Sequence, residues 1–83
     1  MLTGKQKRFL RAQAHHLDPI FQVGKGGVTD AMLSQLRDVL EARELIKVRI
    51  LDNCEEDKHD VAQMLAAGTR AELVQLIGLT VVL

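Results

Sequence analysis

Residues 20–42, IFQVGKGGVTDAMLSQLRDVLEA, read in direct succession as a strand, a glycine turn and a helix. The apolar run at 20–23 predicts a short strand. Three glycines in the next four positions predict a turn, because glycine inside a helix or strand costs backbone entropy. Thr29 is a typical N-cap, and apolar residues then recur at helical spacing to about Ala42. The stretch therefore predicts one strand–turn–helix unit.

A helix is predicted upstream of this unit. Thr3 and Gln6 form a capping-box pattern, and Asp18-Pro19 ends the run, so we expect a helix over about 4–17. The apolar residues that recur at helical spacing are Phe9, Leu10, Ala14 and Leu17. We expect this stripe to face the core.

The residues downstream complete an alternating order of elements. Residues 45–51 alternate with period two, which predicts a half-buried strand with Lys47 and Arg49 on its outer face. Asn53 is the predicted cap of a third helix that ends near Gly68, with Val61, Met64 and Leu65 as its apolar residues. Strands at 73–77 and 80–83 follow, joined at Gly78-Leu79. The order αβαβαββ predicts an α/β fold in which a four-stranded mixed sheet packs with three helices, and residues 1–83 form a single domain.

The charges of the chain cancel overall but are unevenly distributed. Eleven basic and eleven acidic residues give zero net charge, which argues against a highly basic nucleic-acid binder. Residues 1–29 nevertheless hold five basic residues against one acidic residue, and residues 52–60 hold five acidic residues against one basic residue. This separation is typical of a protein with one surface built for a polyanion and another kept away from it. The alternative is that both groups are ordinary solvated helix faces.

Few residues suit metal binding or catalysis. Cys54 is the single cysteine, so the chain has no internal disulfide and no thiolate zinc cluster, and we expect a reducing, cytoplasmic setting. No apolar run is long enough to cross a membrane. His15 and His16 are adjacent and point to different sides of their helix, and Cys54 has no recognisable catalytic partner. We therefore expect no metal, no cofactor and no catalytic residues, and a small-molecule substrate is disfavoured.

The glycine turn is the strongest candidate for a binding site. Backbone amides at Gly24, Gly26 and Gly27, with the first N–H groups of the following helix and the charge of Lys25, could converge on a phosphate. The spacing fits neither a P-loop nor the dinucleotide-binding fingerprint, so a nucleotide enzyme is disfavoured. The alternative is that the glycines merely permit a sharp turn.

The first helix adds a row of cations beside this candidate site. Its basic residues turn away from the apolar stripe and are suited to follow a sugar–phosphate backbone: Lys5, Lys7, Arg8 and Arg11, with His15 beyond them. A membrane-binding helix is disfavoured, because a domain this small needs the apolar side for its core. With no Trp or Tyr, and with Phe9 and Phe21 expected in the core, we predict no aromatic platform for bases. Contacts should go mainly to the nucleic-acid backbone.

Several motifs together resemble the YhbY-type CRM domain, named for chloroplast RNA splicing and ribosome maturation. The matching stretches are Leu2-Thr3 to Arg11, Ala14-His15, Asp18-Pro19, Val23 to Thr29, Glu44 to Val48 and Val74 to Gly78. The resemblance covers essentially the whole chain. It implies a fold similar to the C-terminal domain of translation initiation factor three, and it implies RNA binding. Stand-alone bacterial members are associated with precursors of the large ribosomal subunit.

The resemblance places the family's GxxG loop on Gly24 to Gly27 and its basic first helix on Lys5 to Arg11. Two departures matter. Leu79 stands where the family often has a basic residue, and members commonly continue into a basic tail beyond the position of Leu83. The leading hypothesis is a non-enzymatic protein that binds ribosomal RNA during large-subunit assembly. Its predicted contacts are the glycine turn and the basic first helix, followed by Lys47 and Arg49. The alternative is a module that docks on a ribosomal or assembly protein.

Overall fold

The computed structural model describes residues 2–83, and it confirms the predicted fold class. Its elements are α1 (Gly4–Ala14), β1 (Phe21–Val23), α2 (Asp30–Arg43), β2 (Lys47–Ile50), α3 (Lys58–Thr69), β3 (Gln75–Ile77) and β4 (Thr80–Val82). The sheet order is β1-β2-β4-β3. β1 and β2 are parallel, whereas β4 is antiparallel to both β2 and β3, so the sheet is mixed as predicted.

The sheet separates two groups of helices. Val81 belongs to the main core, together with residues of α2 and α3, whereas Val82 packs in a second cluster with Ala14 of α1. Adjacent residues of a strand point to opposite faces, so α1 lies on one face of the sheet and α2 and α3 lie on the other. The largest side chains of the main core are fully buried: Leu36, Ile46, Ile50, Leu65, Val23, Val48, Val61 and Val81.

Helix α1 begins as predicted and ends earlier. The capping box is formed, with Thr3 Oγ1 accepting from Gln6 N at 3.1 Å and Gln6 Oε1 accepting from Thr3 N at 2.9 Å. The helix ends at Ala14 rather than near residue 17. Leu17 N then donates to Ala14 O at 3.0 Å, which turns the chain and lets Leu17 pack beside α1. Proline also disfavours helical backbone at the residue that precedes it, which fits the turn before Asp18-Pro19.

The expectation that Phe9 lies in the core is wrong. Its side chain is 62% exposed, whereas Ala14 is 2% exposed and Leu10 is half-buried. Successive helical residues point about 100° apart, so Leu10 and Ala14 can face the sheet only if Phe9 points away from the centre of that contact.

Helix α3 begins later than predicted and ends within one residue of the predicted position. Its N-cap is Asp57, whose Oδ1 accepts from His59 N at 2.8 Å, and not Asn53. Asn53 instead lies in a turn after β2, where Cys54 N donates to Leu51 O at 3.0 Å. Gly68 lies inside the helix, and the C-cap is Arg70 in the left-handed region at φ 59°. Met64, predicted in the core stripe, is 36% exposed.

The strands are shorter than predicted, but their faces are as expected. Ile46, Val48 and Ile50 are buried, whereas Arg49 is exposed and Lys47 is half-buried. Across residues 2–83, no helix combines the length and the apolar composition needed to span a bilayer.

Candidate nucleic-acid interface

The glycine turn (Gly24–Gly27) is a β-turn at the carboxyl end of β1. Gly27 N donates to Gly24 O at 3.0 Å, so Lys25 and Gly26 are the two central residues. Both central residues are exposed, and neither has a positive φ. The turn therefore presents the side chain of Lys25 and the backbone of Gly26 to solvent.

The three glycines of this turn differ in what the fold requires of them. Gly27 is buried with φ +68°, and a methyl group on its Cα would overlap the carboxylate of Glu56. A methyl group at Gly24 would meet Asn53 Oδ1 at 3.4 Å, which is ordinary contact, and one at Gly26 would find no atom within 4 Å. The interpretation that the glycines only permit a sharp turn therefore accounts for Gly27 but not for Gly24 or Gly26.

The backbone donors of the turn are also unequal. The N–H of Gly27 is used inside the turn, so it is not available to a ligand. Within residues 2–83, the N–H groups of Lys25 and Gly26 have no hydrogen-bond acceptor. Two amides and one ammonium group are thus available to an external ligand.

The start of α2 contributes less to such a site than the sequence predicts. Thr29 Oγ1 accepts from Met32 N at 3.2 Å, which satisfies one of the first N–H groups of the helix. Asp30 occupies the first turn, where its carboxylate interacts favourably with the positive end of the helix dipole. Because that carboxylate also repels an incoming anion, the turn rather than the helix end is the better anion site.

An acidic loop (residues 51–57) lies directly beside the glycine turn. β1 and β2 are parallel, so their carboxyl ends meet at one edge of the sheet, and Leu51 N donates to Val23 O at 2.8 Å. The carboxylate of Glu56 reaches Gly27, and the side chain of Asn53 reaches Gly24. The acidic loop and the glycine turn, which are separate in the sequence, therefore come together at this edge, so the acidic segment is not kept away from Lys25 as the charge pattern predicted.

The structure brings one cation of α1 next to the sheet. Arg11 and His15 line a small cleft of about 60 Å³, which we call the sheet cleft, with Lys47 and Thr80 on its other side. Arg49 pairs with Thr80 and lies two residues beyond Lys47 on the same face of β2. The neighbour of Arg49 on β1 is Gln22, which lies two residues before the first residue of the glycine turn. Lys47 and Arg49 thus lead from the sheet cleft toward that turn.

The remaining cations of α1 do not all follow this path. Lys5 lies on the rim of a separate depression of about 430 Å³, which it shares with Phe9. Lys5 and Arg8 are exposed, whereas Lys7 and Arg11 are half-buried. The predicted row of cations is therefore divided between the sheet cleft and the outer side of α1. Sequence reasoning missed the exposed ring of Phe9 at this second position.

The His, Cys, Asp and Glu side chains of the described residues form no metal-binding cluster. Among residues 2–83, no group of three His, Cys, Asp or Glu side chains is arranged to hold a metal ion. Cys54 is half-buried, and its Sγ lies 3.9 Å from Glu56 O. The candidate interface consists of cations, amides and one aromatic ring.

The whole described chain matches one family model. Residues 2–83 match the model of the CRS1 / YhbY (CRM) domain. The chain belongs to the CRM domain family. This confirms the resemblance seen in its motifs.

Two relatives and one solved structure match nearly all of this chain. The chain is 70% identical over 83 residues to a Bacillus subtilis protein named "Probable RNA-binding protein YqeI", covering all of this chain and 86% of the relative. It is 38% identical over 82 residues to a Haemophilus influenzae protein named "RNA-binding protein", covering 99% of this chain and 83% of the relative. The solution structure of SAV1595 from Staphylococcus aureus is 57% identical with a TM-score of 0.83, covering 99% of this chain and 85% of that one.

Proposed function

We propose that this CRM domain is a non-enzymatic RNA-binding protein that contacts ribosomal RNA in the cytoplasm during assembly of the large ribosomal subunit. The relatives named as RNA-binding proteins support the RNA partner. The ribosomal target follows from the family association of stand-alone bacterial members. No catalytic step is included, because the interface supplies charges and amides rather than a nucleophile with a base.

The observation that carries this proposal is the open side of the glycine turn. Lys25 and Gly26 present two amides without acceptors and one ammonium group, at a place where glycine is not needed for the fold. A phosphate can approach Gly26 closely because no Cβ stands in its way. Arg49, Lys47 and Arg11 then provide further phosphate contacts along the sheet face, and the outer cations Lys5, Lys7 and Arg8 extend them along α1.

Such contacts predict a particular dependence on salt. About four phosphates held by Lys25, Arg49, Lys47 and Arg11 would give a slope of about −3 for log affinity against log salt with single-stranded RNA. Phosphate contacts position a protein without reading sequence, so specificity must come from RNA shape or from bases held elsewhere on the domain.

Filter binding with ribosomal RNA at several salt concentrations tests the proposal. Lys25→Ala should lower affinity about fivefold at 0.1 M salt and reduce the slope by about 0.7, the counterion-release value for one phosphate. Gly26→Ala should lower affinity without lowering the free energy of unfolding, because its methyl group meets only the ligand.

Arg43→Ala is the matched control for charge. Arg43 lies in the last turn of α2, at the opposite end of that helix from the glycine turn, so its loss should leave the slope unchanged. If Lys25→Ala and Arg43→Ala behave alike, the glycine turn is not a phosphate site. Partners that stay bound after complete ribonuclease digestion would favour the alternative of a protein-docking module.

A further inference from the structure

Phe9 is exposed in the middle of a helix, where a large apolar side chain gains little from folding. Its side chain is 62% exposed, and it lies within α1 rather than at a terminus. Leu10 and Ala14 of the same helix supply the contact with the sheet. The ring is therefore free to bind something outside the domain.

The surroundings of the ring combine an apolar floor with a cationic rim. Leu2, Leu10 and Phe9 line the depression of about 430 Å³, with Lys5 and Gln6 at its edge. Lys5 and Phe9 are four residues apart, so their side chains are neighbours on the helix surface. α1 carries four basic residues and no acidic residue, which makes the whole outer side of the helix positive.

We propose that Phe9 is a stacking platform for an unpaired base of the bound RNA, with Lys5 holding the phosphate beside that base. This inference rests on the proposed function and deepens it, because it specifies RNA with an unpaired nucleotide. An aromatic face stacks on any base, and a neighbouring cation neutralises the attached backbone. The depression shares no lining residue with the sheet cleft or the glycine turn, so it is an additional contact.

Charge disfavours a second copy of this chain as the occupant of the depression, and the small apolar face disfavours a membrane. A second copy of this chain would bring two helices with four positive charges each into contact, and like charges repel. A membrane surface needs a wide apolar face, but Leu10 and Ala14 are already committed to the sheet. A single exposed ring with a basic rim matches one nucleotide best.

Phe9→Leu and Phe9→Trp test the platform directly. Phe9→Leu keeps an apolar side chain but removes the ring, so affinity for single-stranded oligoadenylate should fall about tenfold, the usual scale for one stacked base. The salt slope should not change, because no charge is lost. Affinity for the same strand annealed to oligouridine should be unaffected. Met64→Ala, at an exposed apolar side chain (36%) of α3 on the opposite face of the sheet, is the control and should leave both affinities unchanged.

Phe9→Trp provides a readout at the ring itself. The sequence contains no tryptophan, so the variant has a single fluorescent indole. Stacking should retain the affinity and quench the indole when oligoadenylate saturates the protein. Unchanged fluorescence at saturation, or equal affinities of wild type and Phe9→Leu, would overturn the inference. An equally strong response to phosphatidylserine vesicles without RNA would also overturn it, in favour of a membrane surface.

The two proposals fail in different ways. If wild type binds no RNA, the proposed function itself is wrong. If binding depends on Lys25 while the Phe9 variants bind oligoadenylate like wild type, the glycine turn stands and only the platform is lost. Circular dichroism of each Phe9 variant should match wild type, because the side chain is outside the core.

Discussion

The carboxylate of Glu56 lies against Gly27, so the acidic loop covers one side of the glycine turn. Gly27 is buried at this contact, whereas Lys25 and Gly26 on the other side are exposed. The acidic loop, which is negatively charged like a phosphate, therefore packs against Gly27, the residue of the turn that the fold needs. The part that a phosphate can reach is left open. The two roles of the glycines, structure and binding, are assigned to different residues.

Gly27→Ala should destabilise the domain. The backbone at Gly27 is left-handed (φ +68°), which costs a residue with a Cβ about 1 to 2 kcal/mol. Glu56 must also move to make room, so adding Glu56→Ala should recover that part of the loss but not the backbone part. The measurement is the free energy of unfolding in urea. Gly26→Ala is the control, and equal stabilities of Gly26→Ala and Gly27→Ala would contradict the assignment.

Glu56→Gln should strengthen RNA binding. If a phosphate sits at the glycine turn, the neighbouring carboxylate repels it, and two unit charges several Å apart in water change affinity by about threefold. The gain should shrink as salt increases, because exposed charges are screened. The control is Glu41→Gln, which removes the same charge. Glu41 lies about 16 Å along α2 from the start of that helix, and therefore far from the glycine turn. If both variants bind equally, no phosphate is held beside Glu56.

The order of the helices and strands could be predicted because each of these elements is specified by a pattern of neighbouring residues in the sequence. The alternation of Ile46, Val48 and Ile50 is visible without any knowledge of the partner strands, and the structure buries all three. The capping box of Thr3 and Gln6 is equally local, and it forms. Such features depend on residues within one turn or one strand.

The error at Phe9 came from counting apolar residues without testing the angle between them. Leu10 and Ala14 are four residues apart and share one face, whereas Phe9 is about 100° away from Leu10. The residues four before and four after Phe9 are Lys5 and Gln13, both polar. Those neighbours already indicated a solvent-facing position, and at this position we propose the aromatic platform that the sequence was expected to lack.

The contact between Glu56 and Gly27 could not be read from a local pattern. It depends on the parallel pairing of β1 with β2, which brings two loops about thirty residues apart in sequence to one edge of the sheet. The prediction of Asn53 as a helix cap failed at the same place. Asn53 is in contact range of Gly24, and the helix starts only after the acidic loop has passed the glycine turn.

Gly68→Ala should destabilise the domain although the same change usually stabilises a helix. In a solvent-exposed helix interior, alanine in place of glycine gains about 1 kcal/mol. Gly68 instead faces Leu33 of α2, where an added methyl group would overlap the leucine side chain. Arg37 Nε also donates to Gly68 O at 3.0 Å, so the two helices are held close at this point. We expect the overlap to exceed the gain in helix propensity and to give a net loss of about 1 kcal/mol.

A double-mutant cycle in urea unfolding separates the overlap between Gly68 and Leu33 from a general effect on α3. Leu33→Ala removes the obstructing methyl groups, so in that background Gly68→Ala should become neutral or stabilising, and the two changes should couple by at least 0.5 kcal/mol. Gly4→Ala in α1 is the control, because no atom lies within 4 Å of the added methyl group and no loss is expected there. If Gly68→Ala is as stable as Gly4→Ala in the wild-type background, α2 and α3 do not approach as closely as the contact with Leu33 requires.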